Sequence, residues 1–104
     1  MLRLPLLAAL ALGLSACASD AECCPISGTL PVADGRVSPD LARITPEDAR
    51  SAALVSVPGA VVTDVDLAGD DGFLVYEVEL AKDRSEFDVV VDAGSGEVLC
   101  SERD

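Results

Sequence analysis

Between residues 61 and 92 three segments carry apolar side chains at alternate positions, which limits the chain to a sheet with one dry and one wet face. Val61, Thr63, Val65 and Leu67 share one face of a first strand, and Val62, Asp64 and Asp66 share the other. Gly69-Asp70-Asp71-Gly72 is a strong turn signal. A second strand over residues 73–80 then places Leu74, Tyr76, Val78 and Leu80 on one side. Pairing Ala68 with Phe73 across that turn sets Leu67 opposite Leu74, Val65 opposite Tyr76, Thr63 opposite Val78 and Val61 opposite Leu80. The same register places Asp64 across from Glu77 on the wet face, and a one-residue slip would scatter the apolar set. A third strand, residues 86–92, offers Phe87, Val89 and Val91, and Gly94-Ser95-Gly96 turns it into a short fourth segment, residues 97–101.

Ahead of the strands stands a helix with a clear start. Thr45 is suited to the N-cap, Pro46 to the first helical position, and Asp48 completes a capping-box-like pair. Ala49, Ala52, Ala53, Ser56 and Val57 fall on one narrow face of small residues, which implies close packing on a flat surface, and Pro58-Gly59 ends the helix. The expected fold is therefore α+β, one helix packed on a three- to four-stranded antiparallel meander. At roughly 60 residues such a core is marginal, and a covalent staple would help it.

Residues 1–16 read as an address rather than as part of this fold. One charge, Arg3, precedes an apolar run over residues 4–14, far short of the roughly 20 residues a membrane span needs and matched to a secretory signal. The run ends in Leu14-Ser15-Ala16-Cys17, which resembles the bacterial lipobox. That resemblance implies cleavage before Cys17, acylation of Cys17 as the mature N-terminus, and a lipid-anchored protein of the cell envelope. Three acyl chains hold far more firmly than one. Ala18 in place of an aspartate implies the periplasmic side of the outer membrane if the cell is Gram-negative. Residues 17–43 contain Pro25, Pro31, Pro39, Gly28 and Gly35 with no sustained period, and read as the lipidated N-terminus and a flexible tether. Residues 36–44 fit either a short edge strand or a turn. Residues 44–101 form the domain and residues 102–104 a tail.

Export sets the redox context for Cys23, Cys24 and Cys100, since disulfides persist outside the cytoplasm. Adjacent cysteines plus one distant cysteine make neither a zinc pattern nor a C-x-x-C redox motif. A structural disulfide from Cys100 to Cys23 or Cys24 is expected, closing a long loop that contributes roughly 4–5 kcal/mol in the chain-entropy model. A strained Cys23–Cys24 bond is the other option. Either way one thiol remains over, which leaves a covalent dimer open.

Charge and composition narrow the function. Seven basic and 19 acidic residues give −12, and removal of residues 1–16 takes only Arg3, leaving −13. Such a surface repels nucleic acid. With no His in the chain, Ser–His and Cys–His catalysis and His-ligated zinc are excluded, and no enzyme, catalytic residue, metal or cofactor is expected. Asp64, Asp66, Asp70 and Asp71 are crowded, but Ala68 occupies the third ligand position of an EF-hand template and no Glu stands at its twelfth. By alternation the wet face carries Asp64, Asp66, Glu77, Glu79, Asp88 and Asp92, with Val62, Val75 and Val90 among them. It is either simply solvated or a docking face for a basic partner, with Asp64, Asp66, Glu77, Glu79 and Asp88 as the docking residues.

Taken in order, these segments resemble a PepSY domain. The family pattern of a capped helix, a P-G stop, an extended strand, an "x-Y-x-V" strand and a closing "V-D-A-x-T-G-E-V-L" is matched by Ile44-Thr45-Pro46-Glu47-Asp48-Ala49, Pro58-Gly59, residues 61–67, Val75-Tyr76-Glu77-Val78-Glu79 and Val91-Asp92-Ala93-Gly94-Ser95-Gly96-Glu97-Val98-Leu99. Two departures are Ser95 for the usual Thr and Lys82-Asp83-Arg84-Ser85 for a tighter turn. The resemblance implies a non-catalytic module of peptidase propeptides and small envelope proteins, hence an envelope protein or peptidase as partner and peptidase inhibition or regulation as the role. The alternative is a structural or envelope-stress lipoprotein with no peptidase target.

Overall fold

The computed structural model describes residues 25–33 and 36–104. The signal segment 1–16, Cys17, Cys23 and Cys24 lie outside the described residues. A helix, α1 (Pro46–Ser56), precedes four strands, β1 (Val61–Asp70), β2 (Phe73–Lys82), β3 (Ser85–Asp92) and β4 (Val98–Arg103). The strands form one antiparallel sheet in the order β1-β2-β3-β4, with α1 packed on one face.

The helix begins where its caps dictate. Thr45 Oγ1 accepts from the Asp48 amide at 3.1 Å, and Asp48 Oδ2 accepts from the Thr45 amide at 3.0 Å. Ala49, Ala53 and Val57 are buried, so almost no side chain separates α1 from Leu74, Tyr76, Val78 and Leu80 of β2 and Val89 and Val91 of β3. Tyr76 lies in this core and donates its hydroxyl to the Ile44 carbonyl at 3.2 Å, which fixes the approach to the helix. Burial, and secondarily the charge of Asp48, pushes the Tyr76 phenol up.

Two details of the β1–β2 hairpin differ from the alternation argument. The turn is two residues long, Asp71-Gly72, with φ of +51° and +88°. Both are left-handed, as a type I′ turn requires, and its twist suits the hairpin. Asp70 therefore pairs with Phe73, and the register moves by two residues, so that Leu67 faces Tyr76 and Val65 faces Val78. A shift of two preserves which face each residue occupies, so the apolar set survives. Thr63 then forms a bulge between Val62 and Asp64. Beyond it the faces exchange: Val62, paired with Leu80, joins the core, and Val61, expected inside, is 65% exposed. The β2–β3 turn is likewise tight, with Lys82 opposite Ser85 and Asp83 at φ +57°. Residues 39–41, between the strand and turn readings, form a 3-10 turn (Pro39–Leu41) capped by Ser38.

The tether reading does not extend through residues 26–32, because this stretch is packed as a strap. The Leu74 amide donates to the Leu30 carbonyl at 2.8 Å and the Val32 amide to the Gly72 carbonyl at 2.9 Å, with Pro31 bridging to Phe73. The strap thus occupies the place beside β2 that β3 vacates after Asp92. It comes so close to Gly94 that a Cβ there would fall on Thr29 Oγ1 and within 2.9 Å of Leu30. Two glycine substitutions separate the contributions. Gly94→Ala is expected to cost about 1–3 kcal/mol by overpacking and to deprotect the Val32 and Leu74 amides in hydrogen exchange. Gly72→Ala, with open space around it but φ at +88°, is expected to cost about 1 kcal/mol with those amides unchanged relative to the rest of the sheet. Chemical denaturation and exchange mass spectrometry of the two variants check both.

Candidate functional site

The face of the sheet away from α1 divides into two parts. At one end an apolar patch is built from Val75 of β2 and Cys100 of β4, with Ala68, Val90 and Leu99 around them, and the strap covers it with Ile26. Ile26 is held there by its amide, which donates to Asp71 Oδ2 at 2.7 Å. At the other end no segment among the described residues covers the sheet, and the side chains are acidic.

The acidic end is ordered by strand pairing. Asp64 pairs with Glu79, Glu79 with Asp88, and Asp88 with Glu102, so one carboxylate from each of the four strands stands in a single row. Adjacent strands are about 4.8 Å apart, so this row crosses the whole sheet. The next row brings Asp66 against Glu77. Shallow hollows between these side chains are lined by Asp66, Glu77, Glu79 and Asp88 on one side and by Thr63, Glu86 and Asp104 on the other. Asp64, Asp66, Glu77, Glu79 and Asp88 therefore converge on one face. The like-charged pair expected between Asp64 and Glu77 is replaced by two pairs, Asp64–Glu79 and Asp66–Glu77, because of the register shift.

Glu102 and Asp104 belong to this face and were assigned to a tail. The signal for them was available, since continuing the fourth segment past Ser101 by alternation places Glu102 with Cys100. Asp92, Val75 and Val62 do not belong to the open acidic surface. Val75 lies under the strap, Val62 faces the helix beyond the bulge, and Asp92 is fully buried. The Asp92 carboxylate accepts from the Thr29 amide and hydroxyl at 3.2 and 2.7 Å, from the Gly94 amide at 3.3 Å, and from the Ser95 amide and hydroxyl at 3.2 and 2.7 Å. Burial works to raise its affinity for a proton, but the donors, led by the Ser95 and Thr29 hydroxyls, outweigh it and hold the carboxyl below its ordinary value. Ser95, a departure from the family's Thr, keeps the hydroxyl that this role needs.

The exposed acids behave oppositely. Asp88 is pushed up to about 6 by partial burial, by a hydrogen bond and charge from Asp104, and by the charges of Glu79 and Glu102. Glu77 is raised by burial and by Asp70, Asp66 and Glu79, Asp70 by burial and Asp71, and Asp66 by its hydrogen bond with Asp64. Among the described residues no group of three or more Cys, Asp or Glu side chains is arranged to hold a metal ion. No helix among them is long and apolar enough to cross a membrane. The face can hold diffuse positive charge over a broad area.

The opposing shifts fix a pH profile. Acids raised in the fold bind more protons folded than unfolded between the ordinary value of 3.8 and about 6, so stability falls as pH rises through that window. Asp92 is depressed, so its contribution is present above the ordinary value and is lost as pH falls through its folded value. Thermal unfolding should therefore show maximal stability at about pH 4, with a decline from there to above pH 6. Asp88→Asn should flatten the decline, and an unchanged profile in that variant would contradict the assignment.

A family model described as "Peptidase propeptide and YPEB domain" matches residues 43–102. No curated protein and no solved structure matches the chain.

Proposed function

Because the chain belongs to the PepSY family, we propose that it is a non-catalytic protein-binding module, held on the cell envelope by acyl chains on Cys17, whose partner docks on the carboxylate face of the sheet. The observation that carries this reading is the facing of Asp64, Glu79 and Asp88 on three neighbouring strands, with Asp66 against Glu77 beside them. Like charges directly opposite cost a few tenths to about 1 kcal/mol per pair, and a basic surface brought against them relieves that cost. A peptidase, bound and restrained, is the partner class that the family description favours.

The anchor is supported by the order of charge, apolar run, small residues and cysteine over residues 1–17, and the periplasmic side of the outer membrane by Ala18 if the cell is Gram-negative. A disulfide from Cys100 to Cys23 or Cys24 is supported by the place of Ile26. Ile26 packs against Cys100, and the chain from Ile26 to Cys24 is two residues, about 7 Å when extended. A disulfide joins Cα atoms roughly 4.4–6.8 Å apart, which a cysteine two residues from Ile26 can reach.

Two experiments test this reading. Cys17→Ser should move the protein from the membrane to the soluble or unprocessed fraction, with loss of the lipid mass; unchanged fractionation and mass would refute the anchor. For docking, the lipid-free domain is used to retain its partner from envelope extract. Retention of a peptidase supports regulation, and retention of purely structural envelope proteins supports the alternative of a structural lipoprotein. The retained protein's affinity for Glu79→Gln/Asp88→Asn should fall several-fold at low salt and approach that of the parent at high salt. Equal affinity at low salt would exclude this face.

A further inference from the structure

We infer that the outer edge of β1 is a docking site for an extended segment of a partner protein in which Lys or Arg alternates with aliphatic residues. The inference rests on the reading of this domain as a protein-binding module and specifies how the partner engages it. Three observations on β1 carry it.

The first is an open backbone edge. β1 is terminal in the sheet, and among the described residues no backbone hydrogen bond reaches residues 61–70 from outside the sheet. In a hairpin closed by a two-residue turn, Asp70 and every second residue before it bond to β2. Gly69, Leu67 and Val65 therefore turn their N–H and C=O groups outward. The second is an unfinished core. Val78 and Leu80 of β2 and Val89 and Val91 of β3 are at most 1% exposed, whereas Val62, Val65 and Leu67 on the same face are only half-buried. What they lack is a strand beyond β1. The third is charge. Between these aliphatic positions stand Asp64 and Asp66 on the other face, in the rows with Glu79 and Glu77.

An antiparallel strand added here must satisfy both faces together. Residues opposite Val65 and Leu67 share the helix side and should be aliphatic, while the residues alternating with them lie along Asp64 and Asp66 and should be basic. A second copy of β1 fails this requirement, because it would set acids against acids.

The probe is the heptapeptide Lys-Val-Lys-Val-Lys-Val-Lys, titrated at low salt into the folded protein with backbone amide resonances as readout. It should shift and protect the amides of Val65, Leu67 and Gly69. In the antiparallel pairing the valines exchange hydrogen bonds with β1 and the lysine amides point away. N-methylation of the valine amides should therefore weaken binding roughly tenfold or more, and N-methylation of the lysine amides should leave it within about threefold. Equal binding of the two methylated peptides would place the peptide on the carboxylate face, overturning the edge site while leaving the proposed docking face intact. No binding of the unmodified peptide would overturn the edge site outright, and self-association through β1 would assign the edge to a second copy instead. None of these results bears on the anchor or on the retained partner, which have their own tests.

Discussion

A single buried carboxylate holds the ends of this domain together. Asp92 closes β3 and gathers donors from Thr29, 63 residues earlier, and from Gly94 and Ser95 just after it. A charged group taken out of water is tolerated only when donors replace its hydration, and here five contacts do so. One result is the turn into β4, since Ser95 and Gly94 are folded back around the carboxylate. Another is the strap, whose Thr29 is fastened there and whose Leu30 consequently reaches the Leu74 amide. Without that fastening the apolar patch of Val75 and Cys100 would lose its cover.

The two ends of the sheet face away from α1 use charge in opposite ways. On the covered end a carboxylate is neutralised by directed donors and stabilises the fold. On the open end carboxylates of neighbouring strands face one another, and partial burial together with Asp104, Glu79 and Glu102 pushes Asp88 up. The helix face supplies the cohesion that lets this arrangement persist, because Ala49 and Ala53 bring the α1 backbone close to fully buried Leu74, Val78 and Val89. Stability is concentrated on one side of the sheet and unspent electrostatic energy on the other.

Much of this was legible in the sequence where local rules and long-range packing agree. Thr45, Pro46 and Asp48 specify a helix start by their own hydrogen bonds, and alternation in β2 and β3 assigns each residue a face without knowledge of its partner. Register was not legible from alternation, because a slip of two conserves every face. Only the preference of Asp71-Gly72 for positive φ distinguishes a two-residue turn from a four-residue one. The Thr63 bulge left no local mark, and it alone decides that Val61 faces solvent. Asp92 alternates in step with Asp88 and so reads as another exposed acid, and its burial depends on Thr29, a residue remote in sequence. For the same reason the strap resembled a spacer: Pro25, Gly28 and Pro31 break periodicity, and its order comes from bonds to β2 and Asp92 rather than from itself.

The strap also sets the order in which the chain can close. Its residues are synthesised before α1 and every strand, but its hydrogen-bond partners run from Asp71 to Asp92 and depend on Ser95. A nascent chain that has delivered α1, β1 and β2 still lacks the group that fastens Thr29. Contacts of such long sequence separation form late because loop closure precedes any reward. The domain is consequently built to complete itself only when nearly all of its length is free, and a partly delivered chain stays open.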